Sequence, residues 1–188
     1  MPRIAAGALK GMALSVPRHI RATESKVRQA IFNILGAQVE GAKVLDGFAG
    51  SGALGLEALS RGAARVVFLE SHPACLRAIR QNLDRVKPEL VPGRWEVRPG
   101  NVLRSVEELA GRGSFELILL DPPYEGPWGK KSLLVVAECG ILNAAGVLCM
   151  EHARRVELPP RVGHLALVAQ HRYGQTVLSF YRLAESLD

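Results

Sequence analysis

The chain has 188 residues, of which 48% are hydrophobic and 22% are charged. This length and composition are typical of one folded domain and argue against a disordered chain. Three widely spaced cysteines, none of them in a C-x-x-C pair, indicate neither a disulfide framework nor a zinc site. The first ten residues contain no sustained apolar run, and the histidines lack metal-ligand spacing. We therefore expect a cytoplasmic protein without a secretion signal, a metal or a membrane partner.

The net charge of +6 is concentrated at one end of the chain. Residues 1 to 28 contain six basic side chains and one acid, so this segment alone carries +5. A basic face on an otherwise nearly neutral protein is what binding a nucleic-acid backbone requires, because neutralised phosphates release their counterions. A merely solvated basic face explains the same pattern equally well.

The first 22 residues predict a small hairpin or an extended arm, because Gly7, Gly11 and Pro17 separate short mixed runs. From Thr23 onward apolar residues recur at helical spacing as far as Gly36, and Thr23 is the expected N-cap. We therefore expect a basic arm over residues 1–22 and one main domain over residues 23–188. This domain should open with a helix over residues 23–36.

Strands and helices alternate after this first helix. The predicted strands are 43–46, 65–70, 95–98, 115–121 and 147–151, and the predicted helices are 53–61, 73–86, 102–109 and 130–138. Two final apolar runs, 165–170 and 176–183, should form an antiparallel hairpin. This order predicts an α/β fold in which helices cover both faces of a mostly parallel sheet. The loops after Asp46, Glu70, Arg98 and Asp121 should then share one crevice.

A glycine-rich turn follows the first strand of this sheet. Its glycines fit the pattern of dinucleotide-binding turns, which suits NAD as well as S-adenosylmethionine. Asp46 favours S-adenosylmethionine, because a carboxylate attracts the ammonium and sulfonium groups of that cofactor and repels a pyrophosphate. The predicted cofactor site therefore runs from Asp46 through Phe48 to Gly50 and Gly52.

Two later segments extend this predicted cofactor site. Glu70 ends the second strand, where an acid accepts hydrogen bonds from both ribose hydroxyls. Asn101 and Val102 follow the third strand, where we expect the adenine of the cofactor, although N-capping of a helix explains Asn101 nearly as well. Trp128 is either part of a base pocket or, more simply, a core or lid residue.

The sequence Asp121-Pro122-Pro123-Tyr124 follows the most apolar strand and is the most specific signal in the chain. An exocyclic base amine is a poor nucleophile, because its lone pair is delocalised into the ring. The Asp121 carboxylate and the Pro122 carbonyl can accept both amine hydrogens, and the two prolines fix the direction of that carbonyl in advance. Tyr124 is placed to stack on an extruded base. Asp121, Pro122 and Tyr124 are therefore the predicted catalytic residues.

With these motifs the sequence resembles the bacterial 16S ribosomal RNA (guanine-N2)-methyltransferases of the RsmD type. The resemblance covers nearly the whole chain and is carried by residues 3–7, 10–11, 27–35, 48–58, 121–124 and 173–176. Three positions depart from the pattern of that family. Gly47 stands where a larger residue is usual, and Asn101 and Gln175 stand where aspartate is usual.

The resemblance implies a class I, Rossmann-like S-adenosylmethionine methyltransferase with a mostly parallel seven-stranded sheet and an antiparallel C-terminal strand. It implies methylation at N2 of one guanine, number 966, of 16S rRNA within an assembled or assembling small ribosomal subunit. S-adenosylhomocysteine would be the product of the cofactor, and we expect a monomer. The residues expected to contact the RNA are Lys10, Arg18, Arg21, Arg28, Pro123 and Tyr124.

Three other functions remain open at this point. A DNA or RNA adenine-N6 methyltransferase also uses an Asp-Pro-Pro-Tyr loop, although this chain has no added region large enough to read a DNA sequence. An NAD-dependent oxidoreductase would use the same glycine turn but leaves Asp46 and the loop at Asp121 unexplained. A non-catalytic RNA-binding protein would explain the charge distribution but not the intact loop.

Overall fold

The structure is a computed structural model that describes residues 1–18, 25–87, 89, 91 and 93–184. This part of the chain contains five α-helices and eight β-strands. The helices are Ser25–Leu35 (α1), Ala53–Ser60 (α2), Pro73–Leu83 (α3), Val102–Leu109 (α4) and Trp128–Cys139 (α5). The strands are Lys43–Gly47 (β1), Arg65–Glu70 (β2), Arg94–Pro99 (β3), Phe115–Leu120 (β4), Leu142–Ala153 (β5), Arg161–Val162 (β6), Leu165–Tyr173 (β7) and Thr176–Leu183 (β8). None of the described helices is both long and apolar enough to cross a membrane.

The described strands form one sheet in the order β3-β2-β1-β4-β5-β8-β7-β6. The five strands from β3 to β5 are parallel, and β8, β7 and β6 are each antiparallel to the preceding neighbour. The predicted fold class is confirmed. An eighth strand, β6, was not predicted, because its two residues are too few to carry a periodic pattern.

Helices cover both faces of the sheet, and the side chains of each strand alternate between the two. In β4, Leu117 and Leu119 pack in the layer that contains α1, α2 and α3, whereas Ile118 and Leu120 pack in the layer that contains α4 and α5. Because both faces are buried, β4 is apolar almost throughout. Because helices cover both faces, a ligand can reach the sheet at the carboxyl ends of its parallel strands, where the loops form a binding site.

A hairpin forms over residues 1–14. Arg3 pairs with Ala13 in an antiparallel bridge, and the backbone N–H of Leu9 donates to Ser60 Oγ of α2 at 2.8 Å. Ile4, Leu9 and Leu14 are buried in the same layer as α1 and α2. The hairpin therefore packs into the main core. The predicted boundary at residue 22 and the predicted N-cap Thr23 lie outside the described residues.

Arg28 of α1 contacts this hairpin and helps to hold it in place. Its side chain is fully buried, its Nε lies 3.5 Å from Glu57 Oε2, and its guanidinium donates to the Arg3 carbonyl. Glu57 also accepts hydrogen bonds from the backbone N–H groups of Ala5 and Ala6. Burial lowers the pKa of Arg28, and Glu57 opposes that shift. The prediction that Arg28 contacts RNA is wrong, because its side chain is fully buried and pairs with Glu57.

Candidate active site

A cavity of about 530 Å³ opens at the carboxyl ends of the parallel strands. This volume is typical of a small-molecule or cofactor site. As predicted, residues at the ends of β1, β2 and β4 line it, namely Asp46, Glu70 and Asp121. The loop after β3 does not line it, because β3 lies one strand beyond β2 at the edge of the sheet. Glu151 of β5 lines the cavity as well.

The glycine-rich turn bends the chain sharply between β1 and α2. Phe48, Gly50 and Gly52 all adopt left-handed backbone conformations, with φ of 60°, 58° and 79°. Glycine adopts this conformation without a steric penalty, whereas Phe48 does so at a cost of roughly 1 kcal/mol or more. Asp46 Oδ2 accepts a hydrogen bond from the Gly55 N–H at 2.8 Å, which ties the end of β1 to the first turn of α2.

The second oxygen of Asp46 points to the kind of ligand that the cavity binds. Asp46 is only 1% exposed, and its Oδ1 has no hydrogen-bond partner within the described part of the chain. Burial raises the pKa of Asp46 well above its usual range, and although the Gly55 bond opposes this shift, the carboxylates of Asp121 and Glu70 add to it. A cationic group in the cavity would reverse this shift and supply the missing partner. Asp46 therefore fits the α-ammonium group of S-adenosylmethionine.

Glu70 holds the backbone of two turns. Its Oε2 accepts the Gly50 N–H at 2.8 Å, and its Oε1 accepts the N–H groups of Ser71 and His72, both at 2.7 Å. A carboxylate offers about four acceptor positions. This arrangement leaves one position for a ribose hydroxyl, whereas the sequence predicted bonds to both hydroxyls. Glu70 is used by the backbone as well as by the expected ligand, because the N–H groups that lead into α3 have no hydrogen-bond partners within that helix.

The loop Asp121-Pro122-Pro123-Tyr124 follows β4, and all four of its residues line the cavity. The Asp121 N–H donates to the Gly47 carbonyl at 3.3 Å, which joins the loop to the end of β1. Pro122 is buried and Pro123 is exposed. The four predicted substrate-side residues are therefore brought together with Asp46 in one cavity.

Tyr124 is fixed by two hydrogen-bonding partners at the end of its ring. Its hydroxyl donates to Glu151 Oε1 at 2.8 Å and lies 3.0 Å from Thr176 Oγ1. Burial raises the pKa of Tyr124 well above its usual range, and the Glu151 charge adds to this effect. The phenol therefore stays neutral, and its ring has one fixed orientation against the cavity. The same signal that indicated Asp46, an acid after a buried strand, would have identified Glu151.

Comparisons with known proteins show the family to which the chain belongs. A family model described as conserved hypothetical protein 95 matches residues 2–182. The chain belongs to this family. Ribosomal RNA small subunit methyltransferase D of Escherichia coli is 31% identical over 183 residues, which are 96% of this chain and 89% of that protein. The YlbH protein of Bacillus subtilis is 34% identical over 183 residues, covering 96% and 98% of the two chains.

Solved structures show the same relationship. The YhhF protein of Escherichia coli superimposes with a TM-score of 0.83 at 28% identity, covering 97% of this chain and 98% of that one. A protein from Thermus thermophilus superimposes with a TM-score of 0.81 at 27% identity, covering 97% and 100%. This member of the conserved hypothetical protein 95 family is thus a methyltransferase of the S-adenosylmethionine-dependent class.

In this family member the segment after β3 makes a helix cap. Asn101 is exposed, and its Oδ1 accepts the Arg104 N–H at 3.2 Å, so that it is the N-cap of α4. Val102 is buried against the sheet, and neither residue lines the cavity. The Gly100 N–H donates to the Glu70 carbonyl at 2.9 Å and holds the segment beside β2. The adenine contacts of Asn101 and Val102 stay a prediction.

The remaining predicted residues do not line the cavity or lie outside the described part of the chain. Lys10, in the turn of the hairpin, and Arg18 are exposed, so both can reach a nucleic-acid backbone. Arg21 lies outside the described residues. Trp128 does not line the cavity; its ring contacts Phe48 edge-on at a centroid distance of 6.4 Å, which makes it a supporting residue behind the glycine-rich turn.

Replacement of Asp46 by asparagine should change cofactor binding and protein stability in opposite directions. The raised pKa means that the ligand-free protein loses stability as pH rises from about 4 through the pKa of the folded state. Asp46→Asn should therefore be more stable than the wild type at neutral pH without cofactor, but should bind S-adenosylmethionine roughly ten- to a hundredfold more weakly. Thermal unfolding at pH 5 and pH 8, with and without cofactor, measures both effects. Equal stabilisation of variant and wild type by the cofactor would contradict this assignment; the exposed Asp84→Asn is the control.

Proposed function

We propose that this protein transfers a methyl group from S-adenosylmethionine to the N2 amine of a guanine in 16S rRNA. The observation that carries the proposal is a pair of carboxylates, Asp121 and Glu151, which line one cavity together with Tyr124. The name of the Escherichia coli relative supports small-subunit ribosomal RNA as the substrate.

Asp121 and Pro122 supply the alignment that the reaction needs. The cofactor, when bound, supplies an activated methyl group on its sulfonium, so no covalent bond to the protein is required. The Asp121 carboxylate and the Pro122 carbonyl accept the two amine hydrogens and direct the nitrogen lone pair toward the methyl group. Because the Asp121 N–H is bonded to Gly47 at the end of β1, this alignment exists before the base arrives.

Glu151 favours guanine over adenine. The Watson–Crick edge of guanine presents the N1 hydrogen and the N2 amine side by side, so it is rich in donors. Adenine presents an acceptor, N1, beside its N6 amine. The Glu151 carboxylate is 3% exposed and lines the same cavity as Asp121, so it can accept the N1 hydrogen of guanine, whereas it would face the lone pair of adenine N1.

The N-terminal hairpin supports an RNA partner rather than DNA recognition. Lys10 and Arg18 are exposed at this end of the protein, where they can contact phosphates. The described chain consists of the sheet, its helices and the hairpin, so it offers no separate element large enough to read base edges along a duplex. A structured RNA in a small subunit, which itself presents the target base, needs no such element.

Labelled cofactor tests this proposal directly. Radiolabelled S-adenosylmethionine is incubated with naked 16S rRNA and with small subunits from cells that lack the corresponding methylation, and the nucleosides are then separated. Label in N2-methylguanosine is the expected result, and label in N6-methyladenosine would overturn the choice of base. Glu151→Gln keeps an acceptor for Tyr124 but loses the acceptor for guanine N1, so its kcat/KM should fall roughly ten- to a hundredfold. The exposed Glu157→Gln is the matched control.

A further inference from the structure

A second groove, of about 480 Å³, lies on the outer face of α1. It is lined by Lys26, Gln29, Ala30, Asn33, Ile34 and Tyr173. Two large apolar side chains reach solvent here, since Ile34 is 37% exposed and Tyr173 is 36% exposed. The described residues that line the groove include one cation and no acid.

The groove opens near the active-site cavity. Tyr173 ends β7 and pairs with Thr176 at the start of β8, and Thr176 Oγ1 lies 3.0 Å from the Tyr124 hydroxyl. Paired residues on antiparallel strands lie about 5 Å apart. A short stretch of RNA would therefore be long enough to join a nucleotide in the groove to a base held against Tyr124.

Exposed basic residues lie at the turn between β7 and β8, next to Tyr173. Arg172 precedes Tyr173 and is exposed, and Arg154 is exposed where its N–H donates to the Gln175 carbonyl at 2.8 Å. Lys26 lies in the groove itself, whereas Arg172 lies on the other face of the same strand end, because side chains alternate along β7. An exposed aromatic ring beside cations is the arrangement that single-stranded nucleic acids need, because the ring stacks on a base while the cations contact phosphates.

We propose that this groove binds an unpaired nucleotide of the substrate RNA next to the target guanine. The base stacks on Tyr173 and Ile34, and Lys26 contacts its phosphate. Gln29 and Asn33 are four residues apart on α1, so their amides lie side by side and can pair with the edge of the base. This inference rests on the proposed function, since it concerns the same RNA.

Kinetics of Tyr173 variants test the groove. Tyr173→Ala should raise the KM for RNA on the order of tenfold, because the stacking contact is lost. The KM for S-adenosylmethionine should not change, since the groove is separate from the cofactor cavity. Tyr173→Phe retains the ring and should behave as the wild type. Leu134→Ala is the matched control, because Leu134 is 48% exposed on α5, on the opposite face of the sheet.

The outcomes separate this inference from the proposed function. One outcome is that the wild type forms N2-methylguanosine while Tyr173→Ala and Leu134→Ala have the same KM for RNA. In that case the groove inference is overturned and the proposed function stands. If Tyr173→Ala fails on subunits but methylates naked RNA normally, a ribosomal protein occupies the groove and the inference is also overturned. If the wild type forms no product, crosslinking of single-stranded RNA that contains 4-thiouridine decides. A crosslink at the Tyr173 peptide supports the groove, and its absence refutes it.

Discussion

Replacement of Asp121 by alanine is expected to slow methyl transfer by at least about a hundredfold while S-adenosylmethionine still binds. In the proposed mechanism Asp121 accepts a hydrogen of the target amine, so its loss should remove the alignment of the nitrogen lone pair. Cofactor binding should survive, because we expect Asp46, at the end of the neighbouring strand β1, to hold the cationic end of the cofactor. Loss of the Asp121 charge should also lower the pKa of Asp46, which that charge helps to raise.

Single-turnover methylation and calorimetric titration with the cofactor measure these two effects separately. Glu125→Ala is the matched control, because Glu125 lies in the same loop and its side chain is 91% exposed. If Asp121→Ala turned over at the wild-type rate, the proposed alignment mechanism would be wrong. If it lost cofactor binding as well, Asp121 would belong to the cofactor site.

The largest effect on stability is expected for Glu57→Ala, which should lower the free energy of unfolding by about 3–5 kcal/mol. Glu57 is fully buried and accepts hydrogen bonds from Ala5, Ala6 and Arg61. Its removal would leave the buried guanidinium of Arg28 without the carboxylate that neutralises it. The variant should therefore lose the packing of the hairpin as well as the ion pair.

Urea unfolding followed by circular dichroism measures this loss. Glu108→Ala provides the comparison, because Glu108 pairs with Arg104 at 3.5 Å on the surface of α4, where its side chain is 56% exposed. Such exposed pairs contribute about 0–1 kcal/mol. Equal unfolding free energies for the two variants would show that the Arg28–Glu57 pair does not anchor the hairpin.

Most of the sheet could be predicted because its signals are local. The bounds of β2 and α4 are those that the sequence predicts, since Glu70 ends one apolar run and Asn101 caps the next helix. The strands are buried on both faces, so each is a short apolar run between turns and can be recognised without knowledge of its neighbours. The position of the cavity could be predicted from the same strands, because its main lining residues lie at the carboxyl ends of those strands.

The orientation of α1 could not be predicted in this way. Val27, Ile31 and Leu35 are buried, and these positions are compatible with a face that adds Ala30 and Ile34 or with one that adds Arg28 and Phe32. Hydrophobicity favours the first face, but the structure has the second. The reason is Glu57, a partner for Arg28 that lies far along the chain. The same rotation leaves Ile34 at the surface groove.

Two features of the site depend on geometry that no local pattern contains. The left-handed conformation of Phe48 follows from the path between β1 and α2 and from its contact with Trp128. The contact of Tyr124 with Glu151 and Thr176 joins three distant segments. Sequence predicted that Tyr124 faces the substrate, but not which groups hold its ring in place.

The packing of the N-terminal hairpin has a consequence for how the protein is made. Leu9 leaves the ribosome before its hydrogen-bond partner Ser60, which is 51 residues further along the chain. Ile4, Leu9 and Leu14 therefore stay exposed to solvent until α2 has been synthesised and has packed on the sheet. The hairpin segment is thus synthesised well before it can reach its native contacts, and during that interval its apolar residues are available to chaperones.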